Sequence, residues 1–110
     1  MVAVEPAESA VLSGQPTGAD HIEGIGIGFI PPRWQPELVD SIDTVSSDDA
    51  QQMARRLALT EGLFAGTSTG ANVVAALRVA AGMRPSETVV TIAVDSGLRY
   101  LSTEPYASSP

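Results

Sequence analysis

Ser68 and Thr69 lie in a glycine-bracketed turn, Gly66-Thr67-Ser68-Thr69-Gly70, between the apolar run Leu63-Phe64-Ala65 and an Ala/Val/Leu helix. A helix starting there leaves backbone N–H groups unpaired and carries partial positive charge. Its hydroxyls and amides can therefore cap the helix or present donors to a ligand. The same residues also read as G-x-S-x-G, a nucleophile elbow. That reading fails because the elbow's triad runs serine, acid, histidine, and the single histidine, His21, precedes Ser68. Lysine is absent: all six basic residues are arginine (Arg33, Arg55, Arg56, Arg78, Arg84, Arg99). Arginine stays protonated at any usable pH, so the chain has no amine to condense with a carbonyl and no lysine for a Walker A loop.

Two further stretches carry candidate chemistry. Gly24-Ile25-Gly26-Ile27-Gly28 alternates glycine with isoleucine, which lets the backbone approach another group on one face while the isoleucines pack on the other. It is not the dinucleotide pattern G-x-G-x-x-G, and no helix follows it. Asp95-Ser96-Gly97 ends the β-branched run Thr88 to Val94, at the end of a strand where open α/β sheets place ligands. His21, beside Asp20 and Glu23 without further clustered donors, reads as a loop-bracing or surface residue, and Trp34 as a cover for apolar surface.

The elements that must position these residues follow from pattern. Val2 to Val4 is a short β-branched strand that opens at Glu5-Pro6 into a loop. Residues 5–37 form a glycine- and proline-rich cleft loop with at most one helical turn, around Ser9 to Ser13. Val39 to Val45 is a second strand. Asp48 to Thr60 is a helix with acids in its first turn, Ala50, Met53, Ala54 and Leu57 on one face, and Gly62 past its end. Arg55 and Arg56 fall off that face and are expected in solvent. Leu63 to Ala65 is a short strand, Thr69 to Ala81 a helix stopped by Gly82, and Thr88 to Val94 a central parallel strand covered on both faces. Residues 104–110 are expected to fray as a flexible tail. The order predicts an α/β fold in which three loops converge at one end of a sheet: Glu5 to Ser9, Gly66 to Gly70 and Asp95 to Gly97.

Composition narrows the function class. The chain has 110 residues and a formal charge of −7, with thirteen acidic residues against six arginines, so no basic stripe is available for nucleic acid. With no cysteine, disulfides, zinc–thiolate sites and thiol catalysis are excluded. No apolar run reaches membrane-spanning length and no basic-then-apolar leader opens the sequence, which makes a cytoplasmic location the expectation.

Taken together, His21-Ile22-Glu23-Gly24-Ile25-Gly26-Ile27-Gly28-Phe29-Ile30-Pro31, Gly66-Thr67-Ser68-Thr69-Gly70-Ala71 and Asp95-Ser96-Gly97-Leu98-Arg99-Tyr100-Leu101-Ser102-Thr103 resemble the cysteine synthase family of pyridoxal-phosphate enzymes. The resemblance runs from Val4-Glu5-Pro6 to Thr103. It implies a partial three-layer sandwich with a mostly parallel sheet, residues 1–110 being the C-terminal part of a catalytic domain. It also implies that Ser68, with Gly66 and Thr67 beside it, meets the pyridine nitrogen of pyridoxal 5'-phosphate. Asp95 and Ser96 would lie beside the ring, and Gly24, Ile25 and Gly26 would line the substrate cleft. A neutral hydroxyl, unlike an aspartate, does not favour a protonated pyridine, which suits β-elimination followed by addition of a sulfur nucleophile. The implied activity is replacement of the β-substituent of an activated serine by sulfide, giving cysteine; cystathionine synthesis from homocysteine shares the motifs.

The family's cofactor-bearing lysine, substrate-carboxylate loop and phosphate cup lie upstream of the strand that starts here at Val2. The resemblance therefore implies a fragment or split subunit, inactive alone. Its partner would be the missing N-terminal part or a lysine-bearing chain, within a homodimer in the parent enzyme. The alternative is a non-catalytic binding module that keeps the fold. Apolar faces left open by such a cut predict marginal stability or self-association.

Overall fold

The computed structural model describes residues 1–103 and 105–107. Strand β1 (Val2–Pro6) pairs in parallel with β2 (Ser41–Val45), Val2 opposite Ser41 and Pro6 opposite Val45. A parallel pair requires a long crossover. Here it is the residue 7–40 segment, irregular apart from short 3-10 turns at Ala7–Ser9 and Pro36–Leu38. Helices α1 (Ser47–Arg56) and α2 (Thr67–Ala81) follow.

The core that joins these elements is built from small residues. Ile22, Val45, Ala50, Ala71 and Ala75 are buried together, with Val4, Ile25 and Val74 packed against them. Alanine on the facing stripes lets α1 and α2 approach closely, and Gly70 lets them come closer still. A Cβ on Gly70 would overlap the Ala50 carbonyl. Arg78 on α2 adds a polar tie, donating 2.8 Å to the Thr44 carbonyl and pairing with Asp43 at 3.2 Å.

Helix α1 is capped by a side chain: Ser46 Oγ accepts from the Asp49 N–H at 3.1 Å. Its last expected turn widens into a π-turn over Leu57–Glu61, closed by Gly62 at φ +66°. Ala50 and Ala54 on the predicted face are fully buried. Arg55 departs from expectation. Its Nε donates 2.7 Å to the Pro105 carbonyl instead of lying free in solvent.

Two expected strands are absent among the described residues. Leu63 to Ala65 contributes only a single antiparallel bridge, Ala65 to Ser96. Thr88 to Val94 belongs to no sheet, and Val90, Ile92 and Val94 are 86%, 69% and 54% exposed. A β-branched run favours extended backbone, but a strand exists only where a neighbouring strand supplies its hydrogen bonds. The expected tail falls partly outside the described residues (104 and 108–110). Within them, Tyr106 is anchored, its hydroxyl donating 2.6 Å to the Ala65 carbonyl and its ring meeting Phe64 edge-on at 4.7 Å. No helix among the described residues is long and apolar enough to cross a membrane.

Candidate functional site

Helix α2 begins at Thr67, two residues earlier than the sequence pattern indicates, with Gly66 at its N-cap and no side chain capping it. Ser68 thus sits inside the first turn instead of ahead of it, and Thr67, Ser68, Thr69 and Gly70 are all buried. Their hydroxyls are directed outward to other segments. Thr67 Oγ1 accepts from the Glu23 N–H at 3.2 Å, and Thr69 Oγ1 accepts from the Val94 N–H at 2.9 Å. Among the described residues the Ser68 hydroxyl has no hydrogen-bond partner, although the residue is only 3% exposed.

Those two threonine bonds stitch two sequence-distant segments to one helix start. The Gly66 N–H donates to the Asp95 carbonyl at 3.3 Å and the Gly97 N–H to the Phe64 carbonyl at 3.1 Å, so the turns at 66–70 and 95–97 lie side by side. The glycine-rich segment is fastened by its leading edge. Glu23 bonds Thr67, and the His21 N–H donates 2.8 Å to Ser47 Oγ at the start of α1. The Ser47 N–H in turn donates 2.8 Å to Glu8 Oε1, which brings in the loop after β1. His21 braces through its backbone, as its sequence context indicates.

Gly24, Gly26 and Gly28 all have positive φ (+92°, +70° and +80°), a region closed to most side chains. Gly26 also lies against Asp20 and Pro6 with no room for a Cβ. The alternation therefore serves a sharply curled ribbon. Ile25 joins the core while Ile27 is 53% exposed, so only one of the two isoleucines packs. Gly24, Ile25 and Gly26 line both a largely apolar cavity of about 170 Å³, with Val4, Ser9, Leu12 and Phe29, and a wider polar depression bordered by Asp20, Glu23 and Gln51.

The side chains of the 95–97 turn are occupied by bracing. Ser96 Oγ accepts from the Leu98 N–H at 3.2 Å and opens the 3-10 turn Gly97–Tyr100. Asp95 Oδ2 accepts from the Tyr100 hydroxyl at 2.5 Å and pairs with Arg99 at 3.1 Å, while Asp95 Oδ1 is buried without a partner. That oxygen and the Tyr100 ring press on Gly66 where a Cβ would stand. Tyr100 is absent from the sequence-derived candidates because nothing in local spacing reveals a bond to a turn whose position depends on Phe64 and Gly66.

The hydrogen bond to the Asp95 carboxylate, helped by burial, pushes the Tyr100 phenol up to about 12 from its ordinary value near 10. A phenol raised on folding contributes its stability fully below the unfolded value, and the contribution disappears as pH climbs from about 10 to about 12. Chemical denaturation from pH 8 to 11.5 should show stability falling above pH 10. Tyr100→Phe should lower stability at pH 8 by about 1–3 kcal/mol and flatten the alkaline fall. An unchanged alkaline limb in the variant would remove Tyr100 from this account.

The start of α2, the turn at 95–97 beside it and the glycine-rich segment bonded to it through Glu23 together form the candidate small-molecule site. A model of the family described as "Pyridoxal-phosphate dependent enzyme" matches residues 1–95, and the chain belongs to that family. It is 45% identical over 107 residues to a cysteine synthase of Staphylococcus aureus (strain Mu50 / ATCC 700699), covering 97% of this chain and 34% of that protein. A probable cysteine synthase of Bacillus subtilis (strain 168) is 45% identical over 101 residues, 92% of this chain and 32% of that protein. Among solved structures, cysteine synthase from Entamoeba histolytica superposes with a TM-score of 0.93 at 42% identity, over 100% of this chain and 33% of that one. The chain thus spans about a third of the length of these relatives. Its structural relatives are pyridoxal-phosphate enzymes of fold type II.

Proposed function

We propose that this chain supplies the ring-nitrogen wall and one side of the substrate cleft of a cysteine synthase-like enzyme, with Ser68 as the residue that meets the cofactor ring. One observation carries this reading: among the hydroxyls of the α2 start, Thr67 and Thr69 are bonded to Glu23 and Val94, and Ser68 alone has no partner among the described residues. An unpartnered hydroxyl on a nearly buried residue at the positive end of a helix suits a neutral aromatic nitrogen, to which it can donate without supplying charge. The residues present therefore fit the cofactor's ring. Pyridoxal 5'-phosphate, when bound, supplies the electron sink that makes loss and replacement of a β-substituent feasible.

The other candidates act through position. Gly66 and Thr67 set the helix start, and Asp95 and Ser96 hold the neighbouring turn against it. Gly24, Ile25 and Gly26 form a curled wall fixed to α2 through Glu23, where an amino-acid substrate would be excluded from bulk water. Because the sequence has no lysine, the amine comes from another polypeptide segment, where the resemblance also puts the phosphate cup. With O-acetylserine as the activated serine and sulfide as nucleophile, the Cβ–O bond breaks with release of acetate, a Cβ–S bond forms, and the product is cysteine.

The test is reconstitution with the separately expressed part of the Staphylococcus aureus cysteine synthase that this chain does not match. Cysteine formation should need both pieces. Ser68→Ala should lower kcat/KM about 10- to 100-fold and shift the bound cofactor's absorbance, the loss of one hydrogen bond to the ring. Unchanged rate and spectrum in Ser68→Ala would overturn the assignment, as would a lysine-type cofactor absorbance from this chain alone.

A further inference from the structure

We infer that Tyr100 is a positioning residue for the cofactor ring: its hydroxyl holds the Asp95 carboxylate against Gly66, so that the ring nitrogen meets the neutral Ser68 hydroxyl and not a carboxylate. The inference rests on the reading of Ser68 as the residue that meets that nitrogen.

The carboxylate stands at the helix start. Gly66 is the N-cap of α2, and a Cβ on it would overlap Asp95 Oδ1. That oxygen therefore fills the place an N-cap side chain would take. Oxygens in that place reach the N–H groups two and three residues further on, and Ser68 is two residues on. The partial positive charge of the helix favours a negative group there, and the first turn of α2 has no acidic side chain of its own.

Two groups hold the carboxylate, both through Oδ2. The Tyr100 hydroxyl donates at 2.5 Å and Arg99 at 3.1 Å. They are unequal. The Arg99 side chain is 71% exposed, and solvent screens such a pair. Tyr100 is 7% exposed, and a short bond from a hydroxyl to an ionised oxygen is among the strong kind. Tyr100 therefore fixes the direction of the carboxylate, and its ring packs at the same point of Gly66 as Oδ1 does. The other charge acting on Tyr100 is Glu23 on the glycine-rich segment, whose sign favours the protonated, donating phenol.

The second oxygen explains what this restraint prevents. Asp95 Oδ1 is buried and has no partner among the described residues. An acceptor in that state is costly, so a carboxylate released from Tyr100 turns toward whatever donor is near. A protonated ring nitrogen beside Ser68 is such a donor, and a nearby negative charge favours its protonation. The Ser68 hydroxyl instead donates to the nitrogen and leaves it neutral. By occupying the carboxylate, Tyr100 keeps the contact at the ring a neutral one.

The test uses this chain reconstituted with the separately expressed unmatched part of the Staphylococcus aureus cysteine synthase. The cofactor is pyridoxal 5'-phosphate isotope-labelled at the ring nitrogen, whose NMR shift reports protonation independently of activity. With the parent chain the nitrogen should be neutral at neutral pH. Tyr100→Phe keeps the ring that packs on Gly66 and removes only the donor. It should raise the ratio of protonated to neutral nitrogen about 10-fold or more, the effect of an opposite charge brought to within about 4–6 Å. Adding Asp95→Asn to Tyr100→Phe should return the nitrogen to the neutral form, although the bond is still missing. Arg99→Ala should leave the nitrogen as it is in the parent chain. An unprotonated nitrogen in Tyr100→Phe, protonation that survives Asp95→Asn, or a Tyr100→Phe chain too unstable to bind the cofactor would overturn the inference and leave Ser68 in place. No cofactor bound by the parent mixture, or an unchanged nitrogen shift in Ser68→Ala, would instead remove the reading of Ser68 and the inference with it.

Discussion

Gly70→Val is expected to unfold the chain, or to cost at least about 3 kcal/mol in chemical denaturation. The position is one helical turn into α2, where the helix crosses α1. Any Cβ there would overlap the Ala50 carbonyl and crowd the backbone of Ala54. Backbone cannot rotate aside as a long side chain can, so the helices must separate, and Ala50, Ala71 and Ala75 would lose their shared packing. Gly70→Ala should already destabilise, even though alanine is the better helix former by about 1 kcal/mol. Stability of Gly70→Ala equal to or above that of the parent chain would show that the helices do not cross this closely. The consequence reaches the site, since the same turn of α2 carries Thr67, Ser68 and Thr69.

Glu5→Ala is expected to cost about 3 kcal/mol and to release the loop at residues 10–14. Glu5 is 3% exposed at the end of β1, and its carboxylate accepts from the Leu12 N–H at 2.8 Å, the Ser13 N–H at 2.9 Å and the Ser13 hydroxyl at 2.6 Å. Bonds to an ionised acceptor contribute more than neutral ones, and removing the acceptor leaves two amides without partners. Glu5→Gln keeps one oxygen for three donors and should cost less. Denaturation curves with hydrogen exchange at Leu12 and Ser13 would check this. A Glu5→Ala chain that retains protection there would show that the turn holds itself. The loop borders the apolar cavity beside Gly24 to Gly26, so its release should also loosen the cleft wall.

Much of the site was legible in order and type. The glycine alternation at 24–28, the glycine-bracketed turn at 66–70 and the Asp95-Ser96-Gly97 turn each carry their local conformation in their residues, because positive φ and helix starts are demands on one or two positions. The last two turns do meet through Gly66 and Asp95, but by an isolated bridge and not at the ends of the two expected strands, which do not form. The role of each side chain could not. Thr67 and Thr69 differ from Ser68 only in what lies opposite them, and Asp95 braces Gly66 through Tyr100 and Arg99, five and four residues on.

The sequence by itself determined the α/β class, the two paired strands' positions to within a few residues, both helices, the closed chemistry of a chain without lysine or cysteine, and the resemblance to cysteine synthases. These follow from composition and short-range pattern. Tertiary structure alone decided that residues 88–94 join no sheet, that Tyr106 docks on Ala65, and that Ser68 is the one hydroxyl of the α2 start without a partner among the described residues. The physical reason is the same in each case. Hydrogen-bond partners come from segments far away in sequence, and whether a strand, a cap or a ligand contact forms depends on what stands at the other end of the bond.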